Sequence, residues 1–264
     1  MTTIGFIGCG KMARAMIAGL TASEAFAAAD ITACAPSSAT RADASVRFGI
    51  NVSADNAAAA ACDVVVLAVK PQVCDLVLSE MNGIIREDAL LVSIAAGKPI
   101  AWIASRARTE NVVRFMPNMP AAVGEGMTSV SFADAVSAAD RRTAESIAAA
   151  FGRFEVIPES LMDAATALAG SSPAFVFMMI EAMADAAVLE GMPRAQAYRF
   201  AAQAVAGSAR MALEDGAHPA ALKDAVCSPA GTTIEGVRVL EELGFRSSVM
   251  EALHATCEKS RDFG

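Results

Sequence analysis

A short apolar strand that runs into a glycine turn is the feature of this sequence that most constrains its fold. Residues 4–8 read Ile-Gly-Phe-Ile-Gly, and the pattern predicts a helix from Lys11 to Leu20 directly after the turn. Gly8, Gly10 and Ala13 carry the G-x-G-x-x-A spacing of a dinucleotide-binding turn. In such a turn the first glycine permits the tight bend, and the second lets backbone amides approach a pyrophosphate at the helix N-terminus. The alternative interpretation is a tight turn with a purely structural role.

Predicted strands and helices alternate over the first 157 residues. Continuous apolar runs predict strands that are covered on both faces, and Asp-Val-Val-Val-Leu-Ala-Val at 63–69 is the clearest of them. We expect strands at residues 4–8, 30–35, 63–69, 89–94, 111–116, 127–132 and 153–157, and helices at 11–20, 39–48, 57–61 and 138–151. Such alternation is typical of a parallel sheet with right-handed crossovers. Residues 1–158 are therefore predicted to form an α/β, Rossmann-type dinucleotide-binding domain with a predominantly parallel sheet.

The character of the sequence changes after Pro158. Residues 159–264 contain no convincing strand pattern, and apolar residues recur at helical spacing. We therefore predict a separate all-α C-terminal domain over residues 159–264. Its apolar faces at 175–187 and 201–211 are predicted to pack against a second subunit, giving a homodimer or a ring of dimers. Helix breaks are expected at Gly170–Pro173, Gly191–Pro193, Gly216–Pro219, Ser228–Gly231 and Gly244.

Composition and charge argue against several classes of function. With 21 Lys and Arg against 29 Asp and Glu, the formal net charge is −8, which disfavours nucleic acid as a partner. The six cysteines show no C-x-x-C spacing, so we expect no metal site and buried or half-buried free thiols. Both histidines are expected to be structural, His218 near a helix start and His254 within the last helix. The longest uncharged stretch, 164–180, is shorter than the ~20 residues of a membrane span. We therefore expect a core helix there, no membrane partner, no signal peptide and a cytoplasmic location.

The end of the second predicted strand bears on the choice of cofactor. An NAD site usually presents Asp or Glu at this point to hold the ribose 2′-hydroxyl. Here the strand runs into Ala35, Pro36, Ser37 and Ser38, with Arg41 beyond. Hydroxyl groups and a guanidinium suit a 2′-phosphate, so the pattern favours NADPH, with NADH as the alternative. The two serines would also serve as ordinary helix caps, and both roles can coexist.

Ligands of doubly wound sheets bind at the carboxyl ends of the strands. That rule adds the residues after the third and fourth predicted strands to the glycine turn, although Lys70 is equally well explained as a solvated charge. Asn118, which follows a later strand, is expected to face the same crevice. The residues predicted to contact the cofactor are Ile7, Gly8, Cys9, Gly10, Lys11, Met12, Ala35, Ser37, Ala68, Val69, Lys70, Pro71, Ile94, Ala95 and Ala96.

The segment 222–243 is the second informative part of the chain. It is predicted to form a helix, a break at Ser228–Gly231 and a new helix from about Thr232. A helix start with free amides and hydroxyl groups suits a small anion such as a carboxylate. Ordinary capping is the alternative, because Thr232 and Glu235 have the spacing of a capping box. On these residues alone, capping is the favoured interpretation.

Several segments carry a resemblance to a known family. They are residues 5–13, Leu-Ala-Val-Lys-Pro-Gln at 67–72, residues 93–97, 114–118, 168–174 and 191–194, and Ala-Val-Cys-Ser-Pro-Ala-Gly-Thr-Thr-Ile-Glu-Gly-Val at 225–237. Over essentially the whole chain, from Ile4 to about Arg261, the sequence resembles the Δ1-pyrroline-5-carboxylate reductases. The segment 225–237 is close to diagnostic, whereas the glycine turn is shared with many oxidoreductases. The resemblance implies reduction of the C=N bond of 1-pyrroline-5-carboxylate to L-proline with NAD(P)H, the last step of proline biosynthesis.

The resemblance also implies roles for individual residues. Thr233 matches a substrate-facing threonine whose hydroxyl bonds the ring nitrogen of the substrate. The backbone of Gly231, Thr232 and Thr233 would hold the substrate carboxylate. Glu159 matches a further acid that contacts the substrate, and Asn56 matches an asparagine that touches the cofactor ribose.

Two positions depart from the common pattern of the family. Ala230 stands where a second glycine is frequent, which would tighten the anion-binding turn slightly. Ala225 stands where many members have a polar asparagine, which removes a side-chain contact. A β-hydroxyacid dehydrogenase is a rival interpretation, but such enzymes carry a catalytic lysine in the central helix and residues 164–190 contain none. A protein that binds NADP without turnover is a further alternative, against which the intact segment 228–233 argues.

Overall fold

The computed structural model describes residues 2–23 and 25–262 and, of Asp215, the backbone. The chain divides into two compact units. Unit 1 runs up to Ser171 and includes the residues from Thr256 onward, and unit 2 spans Ser172–Ala255. The last strand ends at Val156, and the helical residues that follow it up to Ser171 still belong to unit 1.

Unit 1 is built on one eight-stranded sheet. Its strands are β1 (Ile4–Ile7), β2 (Ile31–Cys34), β3 (Asn51–Ser53), β4 (Val64–Leu67), β5 (Leu90–Ser93), β6 (Val112–Met116), β7 (Gly126–Phe132) and β8 (Gly152–Val156). Their order is β3-β2-β1-β4-β5-β6-β7-β8. The glycine turn follows β1, beside the point where the strand order reverses, which is where doubly wound sheets bind ligands.

The predicted fold class is confirmed, since the sheet is predominantly parallel. The pairing of β6 with β7 is antiparallel, which the alternation of elements did not predict. The connection between them contains a short 3-10 turn, Met119–Val123, and no crossover helix. A parallel pair needs a crossover of about a dozen residues or more, so this shorter connection reverses the chain. The sequence pattern also missed β3, because three partly exposed residues make no apolar run.

The helices complete the alternation in unit 1 and form all of the regular structure of unit 2. They are α1 (Lys11–Ala22), α2 (Ser38–Phe48), α3 (Ala57–Ala60), α4 (Cys74–Glu80), α5 (Ile100–Ala107), α6 (Ala138–Ala149), α7 (Met162–Ala165), α8 (Ser172–Leu189), α9 (Arg194–Asp215), α10 (Pro219–Val226), α11 (Thr232–Glu242) and α12 (Phe245–Arg261). The helix breaks expected near Gly191, Gly216, Ser228 and Gly244 are confirmed. The short helices α4 and α5 were not predicted.

The break predicted at Gly170–Pro173 is wrong. A π-helical turn at Thr166–Ser171 joins α7 to α8, so the chain stays helical through the glycine and the proline. Pro173 has no N–H with which to bond the carbonyl of Ala169, four residues earlier. The side chain of Asn118 supplies a donor instead, because its Nδ2 lies 3.0 Å from that carbonyl oxygen.

Two apolar layers cover the two faces of the sheet. One layer combines sheet residues with α1 and α6, and Phe6, Phe115 and Phe151 are fully buried within it. The other combines the opposite face with α3, α4 and α5 and contains the fully buried Leu67 and Leu78. Because large side chains fill both layers, the carboxyl ends of the strands are held in fixed positions relative to one another.

The helical stretch Glu159–Leu189 is long and apolar enough to cross a membrane, by length and composition alone. Its most apolar window has a mean hydropathy of 1.5, and 6% of that window is buried. The core helix expected at 164–180 is therefore not buried within a single chain, since Phe177 and Met178 are 63% and 67% exposed.

Candidate functional site

The geometry of the glycine turn requires glycine at Gly8. Its φ is +102°, a backbone conformation that residues other than glycine rarely adopt. A Cβ at this position would also lie 2.6 Å from the carbonyl oxygen of Ala68. The Gly8 amide donates to the carbonyl of Cys34 at 3.1 Å, which ties the turn to the end of β2.

The second glycine, Gly10, is not required by the protein itself. Its φ of −77° is open to any residue, and a Cβ there would meet nothing within 4 Å. Gly10 is the exposed N-cap of α1, and no side chain caps that helix or places an acidic group in its first turn. The amides and the positive dipole end of α1 therefore face open space, which is the arrangement of an anion site.

The ends of β1, β4 and β5 lie side by side, as the cofactor prediction requires. The Ala68 amide donates to the carbonyl of Ile7 at 2.9 Å, and the Ile94 amide donates to the carbonyl of Leu67 at 3.2 Å. The predicted contact residues after these strands are thus brought to one edge of the sheet, next to the glycine turn. Lys70 is exposed there, at the start of the 3-10 turn Pro71–Val73.

The end of β2 carries a guanidinium that is held in place. Arg41 Nη1 donates to the carbonyl oxygens of Ala35 at 2.7 Å and Pro36 at 2.8 Å. Ser37 caps α2, because its Oγ accepts from the Thr40 amide at 3.3 Å. The capping role proposed for Ser37 is therefore confirmed, and Arg41 stands fixed beside it. Asn56, just beyond β3, precedes α3 without capping it through its side chain.

The thiols are free and mostly buried, which confirms that prediction. Cys9, Cys34, Cys62 and Cys74 are buried, and the other two cysteines are half-buried. Burial raises the pKa of the Cys34 thiol to about 11, so it stays protonated at neutral pH and is a poor nucleophile. In residues 2–23 and 25–262, no group of three or more His, Cys, Asp and Glu side chains could hold a metal ion.

Asn118 does not present a free amide to a crevice. It is 7% exposed, and both ends of its amide are bound within the protein. Its Oδ1 accepts from the Met127 amide at 2.9 Å, and its Nδ2 donates to the Ala169 carbonyl at 3.0 Å. The residue supports the helix that passes through Pro173, and its expected place beside the crevice at the strand ends stays a prediction.

Glu159 lies in a polar contact that the sequence did not reveal. Its Oε1 accepts from Arg114 Nη1 at 3.0 Å and from the backbone amide of Ile100 at 2.7 Å. In the sequence, Arg114 stands at the start of the segment 114–118, which carries the family resemblance. Its signal in the sequence was a charge inside the otherwise apolar run Val112–Met116.

The predicted anion-binding turn in unit 2 precedes α11. Gly231 is the N-cap of α11, and no side chain caps it. A Cβ at Gly231 would displace the Ser228 hydroxyl, which packs closely against this position. Thr232 and Thr233 follow at the exposed start of the helix.

The capping box that competed with the anion site does not form. The Glu235 carboxylate accepts from Arg238, at 2.8 Å for its shortest contact, instead of turning back to the N-cap amide. The first amides of α11 therefore have no side-chain cap. His218, in contrast, caps α10 through its Nδ1, which accepts from the Ala220 amide at 3.1 Å.

Two family models match this chain. One, described as pyrroline-5-carboxylate reductase dimerisation, matches residues 159–263. The other, described as NADP oxidoreductase, coenzyme F420-dependent, matches residues 3–97. The glycine turn lies in the second match, and the segment 228–233 lies in the first.

Known proteins are similar to the chain over its full length. It is 51% identical to the pyrroline-5-carboxylate reductase of Escherichia coli strain K12 over 260 residues, which are 97% of this chain and 96% of that protein. The solved pyrroline-5-carboxylate reductase from Coxiella burnetii matches with a TM-score of 0.93 and 33% identity, covering 100% of this chain and 98% of that one. The pyrroline carboxylate reductase from Plasmodium falciparum with NADP bound matches with a TM-score of 0.88 and 32% identity, at the same coverage.

Proposed function

The chain belongs to the pyrroline-5-carboxylate reductase family, and from this premise we propose that it reduces 1-pyrroline-5-carboxylate to L-proline, the last step of proline biosynthesis. As a member, it is an NAD(P)-dependent oxidoreductase. The observation that carries the proposal is the full-length similarity, because it includes both the glycine turn and the segment 228–233. The exposed, uncapped starts of α1 and α11 support it, since one suits a pyrophosphate and the other a carboxylate.

We propose NADPH as the preferred cofactor, with NADH as the alternative. Gly10 leaves open the space that a pyrophosphate needs at the start of α1. The fixed guanidinium of Arg41, the hydroxyl of Ser37 and the lack of an acid at the end of β2 suit a 2′-phosphate. The bound NADP of the Plasmodium falciparum relative supports this choice. When bound, the cofactor supplies a hydride to the imine carbon.

The other proposed cofactor contacts lie at or just after the ends of the strands β1, β2, β4 and β5 or at the starts of the helices α1 and α3. They are Ile7, Gly8, Cys9, Lys11, Met12, Ala35, Asn56, Ala68, Val69, Lys70, Pro71, Ile94, Ala95 and Ala96.

Substrate binding is assigned to the start of α11. The backbone of Gly231, Thr232 and Thr233 holds the carboxylate, and the Thr233 hydroxyl bonds the ring nitrogen. A threonine hydroxyl is too weak an acid to protonate the imine, so Thr233 orients the substrate. The proton comes from water, or the imine binds already protonated. The resemblance also supports Glu159 as a proposed substrate contact.

Self-association is proposed to bury the apolar helices. The family model that describes dimerisation matches residues 159–263, which include the exposed stretch up to Leu189. A second copy of the chain, rather than a membrane, therefore covers this face in our proposal. The minimum is a homodimer, and a ring of dimers is the larger alternative. A cytoplasmic location is proposed on the same grounds.

The test is oxidation of NADPH on addition of 1-pyrroline-5-carboxylate. Thr233→Ala is expected to lower turnover by roughly tenfold to a hundredfold, the range of a lost polar transition-state contact. Thr143→Ala is the matched control, because the Thr143 hydroxyl bonds only a carbonyl of its own helix, that of Ala139, at 3.2 Å. An unchanged turnover rate in Thr233→Ala would contradict the proposed role of Thr233 in orienting the substrate. Repeating the assay with NADH decides the cofactor preference, and cofactor binding without turnover would identify a sensor.

A further inference from the structure

Arg114 places a positive charge in the middle of the sheet. It lies on β6, whose residues are all buried, and it is itself 5% exposed. In register it pairs with Ser93 of β5 on one side and Ser131 of β7 on the other, so three polar residues form one row across the sheet. Such a charge is rarely buried in a protein unless it has a partner.

Its partner is Glu159, which also holds the start of α5. The same Oε1 that accepts from Arg114 accepts from the amide of Ile100, the first residue of α5. Pro99, the N-cap of α5, offers no side-chain hydrogen bond, so the carboxylate of Glu159 takes over that function. A negative charge at this end of a helix is favourable.

Stability does not explain this pair. The Arg114 side chain is buried and the Glu159 side chain is 32% exposed. An ion pair that is partly removed from water is often no more stabilising than apolar side chains of similar size. The Nε of Arg114 is also buried without a hydrogen-bond partner among the described residues, which is unfavourable. A polar row that weakens an apolar strand points to a geometric role.

The geometry that the pair controls is that of residues 94–99. This segment connects β5 to α5 and includes the proposed cofactor contacts Ile94, Ala95 and Ala96. At its start the Ile94 amide bonds the Leu67 carbonyl, and the Ala95 amide bonds Ser93 Oγ at 3.3 Å. At its end the Ile100 amide is held by Glu159. The segment is therefore fixed at both ends.

We infer that Arg114 and Glu159 are positioning residues that fix the segment 94–99 for cofactor binding. This inference rests on the proposed function, because it takes that segment to contact the dinucleotide. Arg114 orients the Glu159 carboxylate, and the carboxylate fixes the start of α5. Loss of either residue releases one end of the segment and weakens cofactor binding even without substrate.

The chain carries its own reporter for this segment. Trp102, the only tryptophan of the sequence, lies in the first turn of α5. Lys98 Nζ, which belongs to the segment, lies 5.1 Å from the centre of the Trp102 ring, and Arg106 lies on the same ring at 4.7 Å. A shift of the segment is therefore expected to change the fluorescence of Trp102.

The experiment measures binding of NADP⁺ in the absence of substrate, by Trp102 fluorescence and by calorimetry. Glu159→Ala is expected to raise the Kd about tenfold, since small displacements of positioning groups have effects of that order or larger. Glu159→Gln keeps an acceptor oxygen and is expected to recover part of the loss. In the double variant Glu159→Ala/Arg114→Met, the Kd should be no higher than in whichever single variant binds NADP⁺ more weakly, because the two residues act as one unit.

The matched control is Glu155→Ala, an exposed carboxylate on β8. Its Kd should equal that of the wild type. A thermal melt and the binding stoichiometry show that each variant is folded at the temperature of the titration, and if Arg114→Met does not fold, the Glu159 series decides alone. A Kd in Glu159→Ala within twofold of the wild type would overturn the inference and leave Glu159 with the substrate only. Failure of the wild type to bind NADP⁺ would overturn the proposed function itself, and the inference with it.

Discussion

Unit 1 buries large apolar side chains in its own interior, whereas unit 2 leaves most of its large apolar side chains exposed. In unit 1, Phe6 and Phe115 have no exposed surface. In unit 2, among the residues whose side chains the structure describes, the buried ones are Ala184, Ala197 and Ala201. Two of these alanines lie on α9 and one on α8, helices that contact each other extensively.

The difference teaches that the two units are stabilised in different ways. The sheet of unit 1 has helices on both faces and encloses its core within one chain. Three buried alanines give unit 2 little hydrophobic stabilisation of its own, because the gain scales with the apolar area removed from water. Its phenylalanines and methionines become useful only when another surface covers them. The stability of unit 2 is therefore expected to depend on self-association, and that of unit 1 is not.

The largest expected effect comes from removing a large buried side chain from the core of unit 1. Phe115→Ala should lower the free energy of unfolding by about 3–5 kcal/mol, the usual cost of removing a buried phenylalanine. Phe200→Ala, at a residue of α9 whose side chain is 67% exposed, should have a much smaller effect on the unfolding of unit 1. Urea denaturation followed by circular dichroism measures both. Equal losses in the two variants would contradict the proposed difference between the units.

A charge on the exposed face of unit 2 is expected to weaken the proposed self-association. Phe177→Glu, at a position 63% exposed in the single chain, should weaken self-association by about a hundredfold, because an unpaired carboxylate is costly to bury. Sedimentation over a range of concentrations measures the effect. Val46→Glu on α2 is the control, at a position 89% exposed in unit 1, and it should leave association unchanged. A monomeric wild type, or an unaffected variant, would remove self-association as the explanation of the exposed face.

Relieving the left-handed conformation of Ala230, in the turn before α11, should have a smaller, stabilising effect confined to unit 2. Ala230 has a φ of +56°, a left-handed conformation that glycine adopts at lower cost. Ala230→Gly is therefore expected to stabilise the protein by about 0.5–1 kcal/mol. Ala221→Gly, within α10, should destabilise it by a similar amount because glycine is a poor helix former. Calorimetric melting compares the two, and a destabilised Ala230→Gly would show that the turn has no strain to relieve.

The smallest expected effect is an acid sensitivity confined to unit 1. The Thr3 backbone amide donates to Asp63 at 2.8 Å and, together with the Thr3 hydroxyl and Arg86, lowers the pKa of Asp63 below its ordinary value of 3.8. A carboxyl group whose pKa is lowered on folding stabilises the fold above its unfolded pKa, and this stabilisation is lost as the pH falls below it. Because the side chain is 39% exposed, Asp63→Asn should cost less than about 1 kcal/mol at neutral pH. The difference between variant and wild type should shrink as the pH falls from 7 through 3.8 towards the lowered pKa of Asp63, and a constant difference in urea melts at pH 7, 4 and 3 would contradict this account.

Much of unit 1 could be predicted because its signals are local. A continuous apolar run such as Val64–Leu67 predicts a strand that is covered on both faces, and all four of its residues are buried. The spacing of Gly8, Gly10 and Ala13 is typical of one kind of turn. Helices α4 and α5 were missed because they are short and follow prolines. Arg114 and Glu159 stand 45 residues apart, so no local sequence pattern could predict their contact. Asn118 was assigned to the crevice because it follows a strand, and its bond to the Ala169 carbonyl, 51 residues away, could not be read from any local pattern.

The sequence by itself determined the class of fold, the dinucleotide turn and the family, because these depend on short patterns of residue size, polarity and glycine. Only the tertiary structure decided how individual polar groups are used. It showed that Gly8 is required by the protein while Gly10 is not, that the capping box of α11 does not form, and that α8 stays helical through Pro173. The physical reason is that a hydrogen bond depends on which groups meet in space, and partners distant in the chain are brought together only by the packed sheet and its helices.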